Sequence, residues 1–154
     1  MCYGNLNVKF GGAYCGMSDA LDGATHHATE DIAVMRALPN MTVLVPSDAT
    51  STRWATKYAV DTYGPMYLRL SRDVYPDLYD ENTKFECGKG AIVRDGTDVT
   101  VIACGILVHK ALEAAEQMVV LVEEFHEVGH LHAHVRVILG VIVEDRQVLN
   151  PCSI

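Results

Sequence analysis

The stretch that most narrows what this chain can become runs from Asp22 to Pro46. Polar residues come first, with Asp22, Thr25, His26, His27, Glu30 and Asp31 crowded into ten positions. Apolar residues then recur at helical spacing (Ala28, Ile32, Met35, Leu38), a stripe suited to packing on a sheet. Pro39-Asn40 stops that helix. Met41 to Val45 is nearly all apolar, as expected of a parallel strand covered on both faces. Polar loop, helix and buried strand make half of an α/β unit. In such units chemistry gathers where loops meet helix N-termini, because free N–H groups and the helix dipole favour oxygen-rich ligands there.

The flanks extend the alternation. Asn7 to Phe10 reads as a short strand ending in Gly11-Gly12. Ser47 to Tyr63 reads as a helix capped by Ser47 or Asp48, with Trp54, Ala55, Tyr58, Ala59 and Thr62 on one face and Gly64-Pro65 as the stop. Met66 to Leu70 is a further strand. Asp73 to Lys84 has the composition of a surface linker. Beyond it, Gly90–Arg94 and Thr97–Cys104 flank Asp95-Gly96, which predicts a two-residue hairpin. Ile106 to Gln117 reads as a helix with Leu107, Ala111, Ala114 and Ala115 toward the core. The expected class is α/β: a mostly parallel sheet with flanking helices, plus a small second α/β domain. The domains are expected at 1–72 and 88–154, joined by a linker at 73–87.

Composition removes several functions. The 154 residues carry 49% hydrophobic and 21% charged side chains, a globular balance rather than a disordered one. A net charge of −8 leaves no basic patch for nucleic acid. No apolar run reaches membrane-spanning length and the start lacks a signal peptide's regions, so neither nucleic acid nor membrane is an expected partner. Five scattered cysteines fit reduced thiols and a cytoplasmic location.

Asp-Gly-Ala-Thr-His-His (22–27), followed by Glu-Asp-Ile-Ala-Val-Met-Arg-Ala-Leu-Pro-Asn-Met-Thr-Val-Leu-Val-Pro-Ser-Asp-Ala (30–49), resembles the pyrimidine-binding domain of transketolases, above all the separate C-terminal subunit of the split enzymes. The resemblance runs from about Cys2 to Gln117. It implies a partial thiamin-diphosphate-enzyme pyrimidine-type domain followed by a shortened C-terminal-type domain. The implied chemistry is transfer of a two-carbon ketol unit between sugar phosphates, with thiamin diphosphate and Mg supplied across a partner subunit. Asp22 would read a substrate hydroxyl and His26 the donor's hydroxyl end, both as catalytic-site residues; Arg72 would hold the phosphate. His26, placed in the first turn of a helix, would favour its neutral form. Two family positions differ here: Tyr14 stands where the family has a phosphate-contacting histidine, and Leu21 replaces the acid before Asp22. The family's activating glutamate and stacking aromatics would lie upstream of Met1, so the chain is expected to start in mid-domain. It should be incompetent alone and active, if at all, in a homo-oligomer or with a partner chain.

The tail reads differently. Val119 to Glu124 resembles a later family strand, with a strand and helix deleted before it. His126-Glu127-Val128-Gly129-His130 fits the zinc-peptidase pattern, in which two histidines four apart share Zn²⁺ and the glutamate activates water. His134 would be a third ligand and Glu144 a further candidate. As a strand, His130, His132 and His134 would instead share one side. Against this stand the cost of Gly129 in a helix, about 1 kcal/mol, and the frequency of chance matches in a histidine-rich tail. The rivals to the transketolase reading are therefore a metal-dependent hydrolase (peptidase or esterase/lactonase type), and a non-catalytic binding or assembly module.

Overall fold

A computed structural model describes residues 1–124 and 135–139. Three parallel strands, β1 (Lys9–Gly12), β2 (Thr42–Leu44) and β3 (Met66–Arg69), form one sheet in the order β1-β3-β2. Between β1 and β2 lies α1 (Asp31–Arg36), and between β2 and β3 lies α2 (Ala49–Asp61). The apolar run Met41–Val45 is buried as its composition demands: Val43 and Leu44 have no exposed surface. Its alternating side chains feed two cores. Met41, Val43 and Val45 join Tyr67 under Ile32 and Met35 of α1, whereas Leu44 joins Met66, Ala55 and Ala59 under Trp54 and Tyr58 of α2.

Helix α2 begins at a capping box. Asp48 Oδ1 accepts from Ser51 N (2.7 Å) while Ser51 Oγ accepts from Asp48 N (3.0 Å). The other oxygen, Oδ2, accepts from Leu78 N (2.9 Å) and Tyr79 N (3.0 Å), so the linker composition of 73–84 does not leave that segment loose. His109 Nε2 donates to Pro76 O (2.8 Å) and ties the same segment to the next helix.

At the end of β1, Gly12 passes under the Tyr67 ring. A methyl at Gly12 would lie 2.7 Å from Tyr67 Cζ. Gly12→Ala is therefore expected to cost about 2 kcal/mol by overpacking, read as a lower urea midpoint with unchanged slope; a neutral result would mean that the tyrosine yields freely.

The second sheet joins β4 (Ala91–Arg94), β5 (Val99–Ala103) and β6 (Val135–Leu139) in the order β4-β6-β5. Helix α3 (Leu107–Glu124) covers one face through Ala111, Leu112 and Ala115, packed on Val101 and Val137.

Four sequence expectations are corrected here. The Asp95-Gly96 hairpin does not pair its own strands, because β6 inserts between them, antiparallel to β4 and parallel to β5. Asp95 instead caps its own turn at Gly96 N (2.9 Å) and meets Arg136 of the inserted strand (3.0 Å). Val119–Glu124 is helix rather than strand: no Gly or Pro interrupts α3 after Gln117, so hydrogen bonding propagates. The buried face of α3 holds Val108 with Ala115, while Leu107 is exposed; Val108, Ala111, Leu112 and Ala115 satisfy the same spacing, turned by one residue. Finally, α1 starts at Asp31, and Ala28 sits before it, bridged to Cys15 and Gly16.

Candidate functional site

The long loop between β1 and α1 is pinned at its base. Gly16 N donates to Ala28 O (2.8 Å) and Ala28 N returns a bond to Gly16 O (3.1 Å), while Cys15 N reaches Leu70 O (3.1 Å) just past β3. Ser18 Oγ donates to Cys15 O (2.8 Å). These bonds bring residues 18–22 to the C-terminal end of β3, where Arg72 projects. Open parallel sheets bind ligands outside those carboxyl ends.

Arg72 Nη1 donates to Asp22 Oδ2 (2.9 Å) and to Asp19 Oδ1. The Tyr14 ring lies under the guanidinium, 5.3 Å from its centre, a cation–π contact. The two acids differ in freedom. Asp19 is 1% exposed, and its carbonyl accepts from His27 Nε2 (2.9 Å). The Asp22 side chain is 48% exposed. Burial pushes the Asp19 carboxyl up, but hydrogen bonds from Arg72 and Asp22 together with the Arg72 charge outweigh it and hold the group below the usual carboxylate range. Arg72 is shifted up in turn, chiefly by its bond to Asp19.

His26 does not lie in the first turn of α1. It closes a separate 3₁₀ turn, Ala24–His26, entered through Gly23 at φ 73°, and its side-chain bond is Thr25 Oγ1 to Nδ1 (3.0 Å). Asp22 and Arg72 are thus brought into direct contact, with His26 four residues along the same loop. Sequence reasoning missed Asp19. The one available signal was a second acid between Gly16 and Gly23, within reach of the same arginine.

A second ionic cluster lies at the loop's base. Arg69 grips Asp31 with two nitrogens (2.7 and 3.1 Å), and Tyr67 Oη donates to the same carboxylate (2.8 Å). Both charged side chains are 12% exposed. Burial would raise the Asp31 pKa, yet the bonds from Arg69 and Tyr67 bring it below the ordinary value; the Tyr67 hydroxyl is pushed up by burial and by Asp31. A cleft of about 360 Å³ opens beside it, lined by Asp48, Thr52, Arg69, Ser71, Tyr75 and the Ile106 end of the second sheet, among others.

The proposed zinc residues His126, Glu127, His130 and His134, with His132 and Glu144, lie outside the described residues. Among the described residues no group of three or more His, Cys, Asp or Glu could hold a metal ion. None of the described helices is long and apolar enough to cross a membrane.

Comparison with known proteins matches residues 1–77 to "Transketolase, pyrimidine binding domain" and residues 88–137 to "Transketolase, C-terminal domain". The chain is 41% identical over 118 residues to the 6-deoxy-6-sulfo-D-fructose transketolase subunit of Clostridium sp. (strain MSTE9), covering 77% of this chain and 37% of the relative. It is 41% identical over 115 residues to an apulose-4-phosphate transketolase subunit of Phocaeicola vulgatus, covering 74% and 37%. A solved structure described as a split gene transketolase, inactive beta4 tetramer, superposes with a TM-score of 0.75 at 39% identity, covering 92% of this chain and 42% of that one. The chain thus spans well under half the length of these relatives.

Proposed function

The chain belongs to the transketolase family, and we propose that it serves as a C-terminal-type section of a split transketolase, taking part in transfer of a two-carbon ketol unit between sugar phosphates only in assembly with a thiamin-diphosphate-binding partner chain. The observation that carries this reading is the Asp22–Arg72 contact at the mouth of a parallel sheet, with His26 in the same loop. Asp22 accepts from a ketose hydroxyl, His26 exchanges a hydrogen bond with the hydroxyl end of the donor, and Arg72 holds the terminal phosphate. The names of two relatives as transketolase subunits support this reading, and so does the inactivity stated for the beta4 tetramer. The hydrolase alternative draws no support from any of these relatives.

In the family, thiamin diphosphate with a divalent metal supplies the carbon–carbon chemistry. As a section of a split enzyme, this chain is expected to meet cofactor and metal at its partner chain.

Self-assembly has its own basis in the second sheet. Ile92 and Ile102 are each registered with Ile138, and this row lies on the face turned away from α3. Ile92 is 60% and Ile102 72% exposed, an apolar strip that association would cover. The test is reconstitution. The purified chain with thiamin diphosphate and Mg should transfer no ketol groups and should run as an oligomer in light scattering. Adding a diphosphate-domain partner should restore transfer. Turnover by the isolated chain, or a monodisperse monomer, would overturn the corresponding half of the proposal.

A further inference from the structure

We propose that Tyr14 is a positioning residue for phosphate binding: its ring, packed on the Arg72 guanidinium, keeps that side chain from folding onto its own two carboxylates and so leaves Nε and Nη2 for the ligand. This deepens the reading of Arg72 as the holder of the terminal phosphate and rests on it. A guanidinium beside a carboxylate ordinarily closes on it through two parallel N–H bonds. Arg69 does so, gripping Asp31 through Nε and Nη2. Arg72 has two acids within reach and does not. Its Nη1 alone donates to both Asp19 and Asp22, and the side chain stays 40% exposed.

The ring supplies the difference. It lies 5.3 Å from the centre of the guanidinium, where the attraction of a ring face for a cation holds the fork flat. Re-aiming the fork at either acid slides it off that face. The backbone is strained to put the ring there. Tyr14 has φ 60°, a left-handed conformation that a bulky side chain rarely adopts. It is fixed from the next residues, where Cys15 N bonds Leu70 O and Gly16 exchanges two bonds with Ala28. Strain of this kind persists only where the surroundings impose it, and it gathers at ligand clamps. Tyr14 is 45% exposed, so core packing does not account for it. A terminal phosphate thus meets Nε and Nη2 without first breaking a paired fork. Exposed Asp22 yields to a sugar hydroxyl, while buried Asp19 stays as the anchor of Nη1.

The experiment titrates the full chain with inorganic phosphate, reading affinity from phosphorus NMR line broadening and the Arg72 side chain from its own proton signals. Phosphate should bind the unaltered chain and shift the Arg72 Nε–H signal, and Arg72→Ala should abolish binding. Tyr14→Phe keeps the ring and should stay within about twofold of the unaltered chain, whereas Tyr14→Leu keeps the backbone strain without a π face and should bind about three- to fivefold more weakly. In that variant the Arg72 Hδ signals should also move downfield before any phosphate is added, as ring-current shielding is lost. Should Tyr14→Leu fail to fold, Tyr14→Gly suits the left-handed backbone and should show the same weakening. The proposal is overturned if the ring-free variants bind phosphate as tightly as the unaltered chain while Arg72→Ala does not. It is also overturned if Tyr14→Phe loses as much as Tyr14→Leu, which would assign the effect to a hydroxyl contact with phosphate. No binding to the unaltered chain, or binding that survives Arg72→Ala, would instead sink the reading of Arg72 itself, and this proposal with it.

Discussion

Asp48→Ala is expected to lower folding stability by about 3 kcal/mol, the sum of a lost helix cap at about 1 kcal/mol and stranded amides at about 1–3 kcal/mol. Asp48 is 7% exposed, and its carboxylate serves both sides of a junction. Oδ1 holds Ser51 N at the start of α2; Oδ2 holds Leu78 N and Tyr79 N from the following segment. Alanine leaves three backbone N–H groups without these acceptors in a place that water reaches poorly. Asp48→Asn keeps an acceptor for the cap and should recover about half of the loss. Chemical denaturation measures both. A cost below about 1 kcal/mol would show that the linker amides find water instead.

Arg69→Ala should cost about 3 kcal/mol, at the low end for breaking a buried pair because 12% exposure leaves some access to water. The alanine leaves Asp31 with Tyr67 Oη and the Ile32 amide but no cation, and removes the bond from Nη2 to Ala28 O that helps close the loop's base. Asp31→Ala should cost a similar amount, and the double variant less than the sum, since the two side chains form one unit. Acid should mimic the loss. The Asp31 carboxyl titrates below its ordinary value in the folded chain, so its contribution is complete above the unfolded aspartate pKa of about 3.9. As pH falls below that value the unfolded chain takes up the proton first, and stability declines until the folded carboxyl is protonated too. The acid slope of stability should therefore flatten in Arg69→Ala. An unchanged slope would assign the acid sensitivity to another carboxylate, such as Asp19.

Much of the architecture was legible from one dimension. Val43, Leu44 and Val45 are apolar on both sides of a strand, which only a covered parallel sheet explains. Pro39-Asn40 and Gly64-Pro65 lie just past the ends of α1 and α2, and the chain reverses there through the positive φ of Asn40 (60°) and Gly64 (122°). The errors arose where two local patterns were equally good. Asp95-Gly96 is a sound turn, but turn chemistry says nothing about a third strand arriving from forty residues away. The α3 stripe could be drawn through Leu107 or through Val108, and only the folded chain buries Val108 and leaves Leu107 exposed. Likewise, Asp22 and Arg72 could be paired through the family resemblance, whereas Asp19 entered the site because the loop closes at Gly16 and Ala28.

By itself the sequence determined the α/β alternation, the buried central strand, the kinship and the loop in which chemistry is concentrated. These follow from periodicity and residue type, which act over a few neighbours along the chain. Only the tertiary structure decided that β6 separates β4 from β5 and that Arg72 is shared by a buried and an exposed acid. Strand order and ion pairing are settled by which surfaces meet after the chain folds back, and charges fifty residues apart interact through space, not through sequence.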